Sequence, residues 1–378
     1  MRISKLDRIV IVIVVLSIIG VGLVAVLSNP ANQTPKVAYL YPAFGGVQNV
    51  WISPIDNPEN QQQMTFSEYG IYDFDVSDDG HWLAFAEKNS EGSAQIRMLD
   101  IPNKRVIDLV NCVEIEAYCT TPAFSPDGTK LAYQRSESIN GVYGLSRIWL
   151  VDLTSPSYDT IPLIRDTQVV GHSPIWSQDN NTLAFYSADT TQPGILIYDF
   201  VARGGDDVQL RFIPSSYGAM GSVSPNGQEI IFPEVVRRNE QIFTHLRMAD
   251  LLDKTFESFT DPQGPTDDVA VQWSPDGRTV AFARKYTDDR WTVGQQLYLR
   301  DVETEDNLTP IAYDENYNTS YFRWNSMGTR LVMQRFPLQN EDGTANRNAA
   351  PEVWVYDLET ENLTKVIDNA FLPQWASP

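Results

Sequence analysis

The residues able to do chemistry in this chain are few and scattered. His81, His172 and His245 are its only histidines. No Gly-x-Ser-x-Gly elbow, phosphate-cradling loop or His-Glu-x-x-His zinc motif occurs in the sequence. A nucleophile, base and orienting acid gathered from separate loops would need a histidine set beside its partners. The three histidines occupy unrelated places, so ordinary structural or surface roles are the expectation. Asp73-x-Asp75 with Asp78 and Asp79 is the nearest approach to a cation site. It lacks the ligand spacing of an EF-hand loop, falls across a strand and the repeat turn, and reads as a solvated turn. Neither a catalytic residue, a metal nor a cofactor is assigned.

Three arginines are more regular. Arg135, Arg284 and Arg335 each stand two residues after a Leu-Ala-Phe-like triplet. Tyr143, Tyr286 and Trp291 lie in the segments that follow. On so acidic a chain the three could form a basic spot for a carboxylate or phosphate, with aromatic neighbours. The simpler reading pairs each guanidinium with a local acid. On the first reading these six residues are the candidate binding set.

The elements that would position them come from a repeat. Ser125-Pro126-Asp127-Gly128 is followed by Leu131-Ala132-Tyr133, and Ser274-Pro275-Asp276-Gly277 by Val280-Ala281-Phe282. Looser copies begin at Ser77, Ser177, Ser224 and Asn325, and successive copies are 47 to 52 residues apart. The tetrapeptide is a turn: Pro presets φ, Asp bonds its own backbone and Gly accepts positive φ. An alternating segment ending in Asp follows each copy, as at residues 148–152 and 195–199. A fourth short segment often carries Leu-Thr, as at Leu308-Thr309 and Leu363-Thr364. Period-two alternation at this length predicts strands. Four antiparallel strands in about 50 residues make one propeller blade.

The two ends complete the count. Residues 372–375 read as a first strand with no second after it. Val37-Ala38-Tyr39 reads as a second strand with no first before it. Pairing them makes one composite blade and removes an open sheet edge. The expectation is an all-β, seven-bladed propeller of four-stranded blades over residues 36–378, six or eight blades being the less favoured counts. Cys112 and Cys119, the only cysteines, bracket a short connection between blades and are expected to form a disulfide.

Ahead of the propeller, residues 9–27 form an uncharged run whose one polar member is Ser17. At about 1.5 Å per residue a helix of this length spans a bilayer core. Arg2, Lys5 and Arg8 precede it, which places residues 1–8 in the cytoplasm. Cleavage is disfavoured, because Ala25-Val26-Leu27 is a poor small-residue site. The run therefore reads as a signal-anchor helix, residues 28–35 as a tether, and the propeller as extracytoplasmic, periplasmic or at the cell surface. Both broken ends fall on the face carrying the Ser-Pro-Asp-Gly turns, so that face is expected to look toward the membrane. Longer loops at 136–146, 235–244, 285–295 and 336–351 fall on the other face, where binding is expected.

The formal net charge of −21 argues against nucleic acid, which requires clustered Lys and Arg. The repeat resembles the PD40, or WD40-like, repeats of TolB-type propellers over nearly all of residues 36–378. That resemblance implies a non-catalytic scaffold that binds a protein, a peptide or a cell-envelope component. Prolyl oligopeptidase-like peptidases carry the same repeat beside a hydrolase domain, for which this chain has no room. The alternative is a hydrolase or lyase acting on glycans or peptides around the central channel. A sensor ectodomain is weakened by the short segment before the helix.

Overall fold

The computed structural model describes residues 34–376, apart from 188, 202–209, 239, 305–307 and 341. The expected helix at 9–27 lies outside the described residues. Among those described, no helix is long and apolar enough to cross a membrane. The chain forms seven antiparallel sheets, each built from four consecutive strands except where the ends meet and in the third, where the short strand Val142–Tyr143 is a fifth. We number the blades from the composite one. Blade 1 has the order Phe371–Trp375, Lys36–Tyr41, Asn49–Pro54, Gln62–Gln63. Val37 pairs with Trp375 and Ala38 with Gln374, so the C-terminal strand closes the ring as the broken ends require.

The first strands of blades 2 to 7 are Ile71–Val76, Ala117–Phe124, Gly171–Trp176, Ser222–Val223, Thr266–Trp273 and Tyr317–Trp324. Each is followed by a second strand: Trp82–Lys88, Lys130–Ile139, Thr182–Ser187, Glu229–Arg238, Thr279–Tyr286 and Arg330–Pro337.

The Leu-Ala-Phe triplet is explained by where its side chains go. Second strands are buried on both faces, because each blade packs between two others. Leu83 and Phe85 join the cluster shared with blade 1, while Ala84 and Ala86 join that shared with blade 3. Val280 and Phe282 face blade 5, and Ala281 and Ala283 face blade 7. Large residues thus fill the gap to the preceding blade, and small ones admit the large residues of the following blade. Seven such clusters, one at every blade junction, replace a single core. Fully burying a Leu or Phe contributes about 1.5–3 kcal/mol, so the junctions hold the ring together.

The turn motif is a hydrogen-bonded unit. The Ser274 hydroxyl donates to Asp276 Oδ1 at 2.6 Å and accepts the Thr279 N–H at 3.0 Å. Asp276 Oδ1 also accepts the Arg278 N–H at 3.1 Å. The same set recurs at Ser77, Ser125, Ser177 and Ser224. Only a hydroxyl can donate and accept at once here. Gly277 has φ +71°, and Asn180 takes φ 62° at the equivalent place in the degraded copy, as Asn tolerates that region best after Gly. In blade 7 the side-chain oxygen of Asn325 accepts both the Thr329 and Arg330 N–H groups, at 2.9 and 2.8 Å. One amide oxygen does there what a Ser–Asp pair does elsewhere, so the weakest copy in sequence still forms the turn.

Candidate functional site

Antiparallel order fixes two faces. The turns between first and second strands and between third and fourth strands lie on one, here the turn face. The hairpins between second and third strands and the connections between blades lie on the other, the hairpin face. The long segments expected as loops on the hairpin face are partly strand. Glu229–Arg238 and Gln241–Asp250 stay paired to the Arg238–Gln241 end, and Val142–Tyr143 folds back onto Ser138 and Ile139. Residues 235–244 and 136–146 are therefore projecting hairpins rather than irregular loops. Continuing cross-strand backbone bonds extend the sheet past the blade.

The three arginines are held within their own blades. Arg284 makes a two-pronged ion pair with buried Asp268, at 2.6 and 2.8 Å. Arg135 bonds Glu137 at 2.9 Å and lies over the Trp149 ring. Arg335, only 1% exposed, stacks 4.2 Å from the Tyr317 ring centre and donates to the Ala312 carbonyl and the Thr319 hydroxyl. Burial pulls its pKa below the ordinary guanidinium value. Tyr286 lies between Arg284 and Arg290, Lys285 lies over Trp291, and Tyr143 packs against Tyr118. The six candidate residues thus sit on blades 3, 6 and 7, and each arginine is occupied locally. Cys112 and Cys119 form the expected disulfide, with Cα atoms 6.1 Å apart. It closes the loop bearing exposed Val113 and Ile115, beside the hairpin with exposed Ile139, Val142 and Leu145. The Ser138 N–H bonds the Glu116 carbonyl at 2.8 Å, joining loop and hairpin.

Exposed large apolar side chains concentrate on this face. Phe44, Ile242 and Trp291 project from hairpins, and Phe66, Tyr69 and Tyr313 from blade connections. Among the described residues the turns of the turn face expose Val201, Leu252 and Met327 in this class, and Val106, Ile161, Phe212 and Phe256 are exposed on the outer fourth strands.

A second feature lies on the ring axis. The seven first strands enclose a cavity of about 740 Å³ that runs from mid-strand to the turn face. Six of the seven break register at the same height, as between Thr120 and Ala123 and between His172 and Ile175. Thr121, Ser173, Ala270 and Leu372 have positive φ there. Such bulges re-aim side chains, here into the channel. Asp73 and Asp75 line it. This corrects the solvated reading of that cluster: Asp73 and Asp75, on the first strand of blade 2, line the channel, and Asp78 and Asp79 belong to the turn, as the split across strand and turn had it. Asp73 Oδ2 accepts the Thr121 N–H at 2.8 Å, and Asp75 Oδ2 accepts the Phe124 N–H at 2.7 Å. Both are half-buried in the channel wall, and desolvation raises their pKa values from 3.8 to about 6 and about 7. Among the described residues no group of three or more His, Cys, Asp or Glu side chains is placed to hold a metal. The sequence signal for this site was acidic residues four and two places before the turn serine, positions at which the other first strands carry no acid.

The TolB β-propeller domain, PD40, matches residues 35–289. The chain belongs to this family. No curated protein matches it. Several solved structures share the fold. The β-propeller domain of the Trilobed protease from Pyrococcus furiosus is 14% identical, with TM-score 0.55, covering 80% of this chain and 84% of that one. Oligogalacturonate lyase from Vibrio parahaemolyticus is 13% identical, with TM-score 0.55 and coverage of 89% and 85%. TolB from Acinetobacter baumannii is 19% identical, with TM-score 0.45, and the match covers 73% of this chain and 63% of that one. A prolyl endopeptidase structure matches with TM-score 0.60 at 12% identity, and this chain spans 47% of its length.

Proposed function

We propose that this TolB-type propeller is a non-catalytic binding protein that docks a protein, peptide or cell-envelope partner on its hairpin face. The observation that carries the reading is the concentration of exposed apolar side chains there. Isolated apolar residues are normal on a surface, but a rim of them marks an interaction site. The disulfide loop and its neighbouring hairpin give that rim a stiff backbone, which lowers the ordering cost of binding. We further propose that residues 9–27 anchor the chain and that the propeller lies outside the cytoplasm. The 28–35 tether would enter at Lys36, beside Trp375 and on the turn face. That arrangement directs the hairpin face away from the bilayer.

An enzyme is the second reading, favoured by the two carboxylates in the channel and by a fold shared with a lyase and peptidases. Photo-crosslinking in intact cells separates the two. A benzophenone amino acid at Tyr143 or Ile242 is expected to capture one discrete partner, and the same probe at Met327 is not. Equal capture from both faces, together with turnover of oligogalacturonate or peptide by the purified chain, would replace the binding reading with the enzymatic one.

A further inference from the structure

The axial cavity is on the turn-face side of the ring, away from the proposed docking rim, and its chemistry is different. Its wall carries Asp73 and Asp75 on one strand and Asp78 at the mouth. Arg323, on the first strand of blade 7, is the one cationic side chain in the lining. Asp75 is influenced electrostatically by Arg323, yet no ion pair within 4 Å joins them among the described residues.

Asp73 supplies the second, independent observation. Its Oδ2 is taken by the Thr121 N–H, but its Oδ1 is buried and has no hydrogen-bond partner. An unpaired buried carboxylate oxygen costs about 1–3 kcal/mol, and natural structures rarely leave one without a reason. Trp176, Trp273, Trp324 and Trp375 end four of the first strands and line the same cavity. Three of their indole N–H groups are fixed to the preceding blade, on the carbonyls of Ala123, Gln272 and Arg323. The rings are thereby locked in place, and aromatic faces favour cations.

We propose that the turn-face end of the channel is a binding site for an organic cation, whose ammonium or guanidinium group is received by Asp73 and Asp75. A bare metal fits poorly, because the described residues offer no three-ligand cluster. An ammonium or guanidinium group donates several hydrogen bonds and needs only two carboxylates on one side. The indoles would cover its alkyl portion. The cavity, about 740 Å³, admits a small amine or a basic residue of a short peptide.

The test uses the full-length chain in detergent, at physiological salt, with calorimetric titration. Arginine methyl ester and spermidine probe free cations, an amidated Gly-Arg-Gly peptide probes a basic residue in a chain, and citrulline methyl ester is the uncharged side-chain control. Saturable binding of at least one cation is expected. Asp73→Asn with Asp75→Asn should weaken it at least about tenfold, since a charge-assisted pair is lost while the Oδ1 acceptors remain. Arg323→Gln should tighten it, by removing the competing charge. Arg105→Gln, exposed on an outer strand and outside the cavity, should leave it unchanged. Near-wild-type circular dichroism of the Asn variants excludes misfolding as the cause. No saturable binding, binding indifferent to the Asp73 and Asp75 substitutions, or complete displacement by equimolar calcium would each overturn the proposal. Which probe binds more tightly tells a free amine from a peptide.

Discussion

The carboxylate of Asp75 on blade 2 accepts the backbone N–H of Phe124 on blade 3, at 2.7 Å. One bond thus couples two neighbouring first strands across the wall of the axial channel. Asp73 repeats it one step away by accepting the N–H of Thr121, a residue with φ 49°. The two aspartates hold the neighbouring bulge in place while lining the cavity, so their effects on stability and on binding are separable by pH.

Desolvation raises Asp75 from 3.8 to about 7, with the Phe124 bond and Arg323 opposing the rise and Asp78 adding to it. A carboxyl whose pKa is higher in the folded state binds more protons there. Its contribution to stability is therefore full below about pH 4 and falls as pH rises to about 7. Asp75→Asn keeps the acceptor without the ionisation. The variant should match the parent near pH 4 and exceed it by about 2–4 kcal/mol at pH 8. Urea melts of both chains across that range check it, and a pH-independent difference would contradict it.

The turn of blade 7 offers a double-mutant cycle. Asn325→Ser leaves a hydroxyl unable to accept both the Thr329 and Arg330 N–H groups, and Met327 supplies no carboxylate to share them. A loss of about 1–2 kcal/mol is expected. Adding Met327→Asp should restore most of it, by rebuilding the set seen at Ser274. Met327→Asp alone should be nearly neutral. The coupling energy from chemical denaturation is the readout, and additivity of the two changes would refute the equivalence.

Arg335→Lys is not conservative at its site. The planar guanidinium stacks on Tyr317 and lies 5.3 Å from the Trp354 ring centre, in a place that is 1% exposed. A lysine ammonium is more strongly hydrated and cannot fill that slot in the same way. A loss of about 2–3 kcal/mol is expected. Arg135→Lys, next to exposed Glu137, should cost less than about 1 kcal/mol. Thermal melts of the two variants provide the comparison.

Replacing Cys112 and Cys119 together by Ser should cost about 2.5 kcal/mol, from the loop-closure entropy of a ring this small. Both cysteines are fully buried, so reductant should leave the folded protein oxidised. Thiol counting with and without denaturant, alongside the melt of the double variant, tests both statements. If the rim on the hairpin face is the docking surface, hydrogen exchange at residues 113–116 should rise in that variant and crosslinking from Tyr143 should fall.

The sequence by itself determined the blade count, the strand order and the ring closure. These depend on local signals repeated at one period: a turn with its own hydrogen-bond set, large and small residues alternating for two neighbours, and end strands that each lack what the other supplies. The disulfide was legible for the same reason, since its cysteines are seven residues apart. The tertiary structure decided what the ring brings together. Asp73 and Asp75 read as part of a solvated cluster because their enclosure comes from six other first strands, all distant in sequence, closing around the axis. Arg135, Arg284 and Arg335 read as one set because they share a position in the repeat. A ring carries equivalent positions to different blades, where each arginine meets its own aromatic or acidic neighbours before it can meet another.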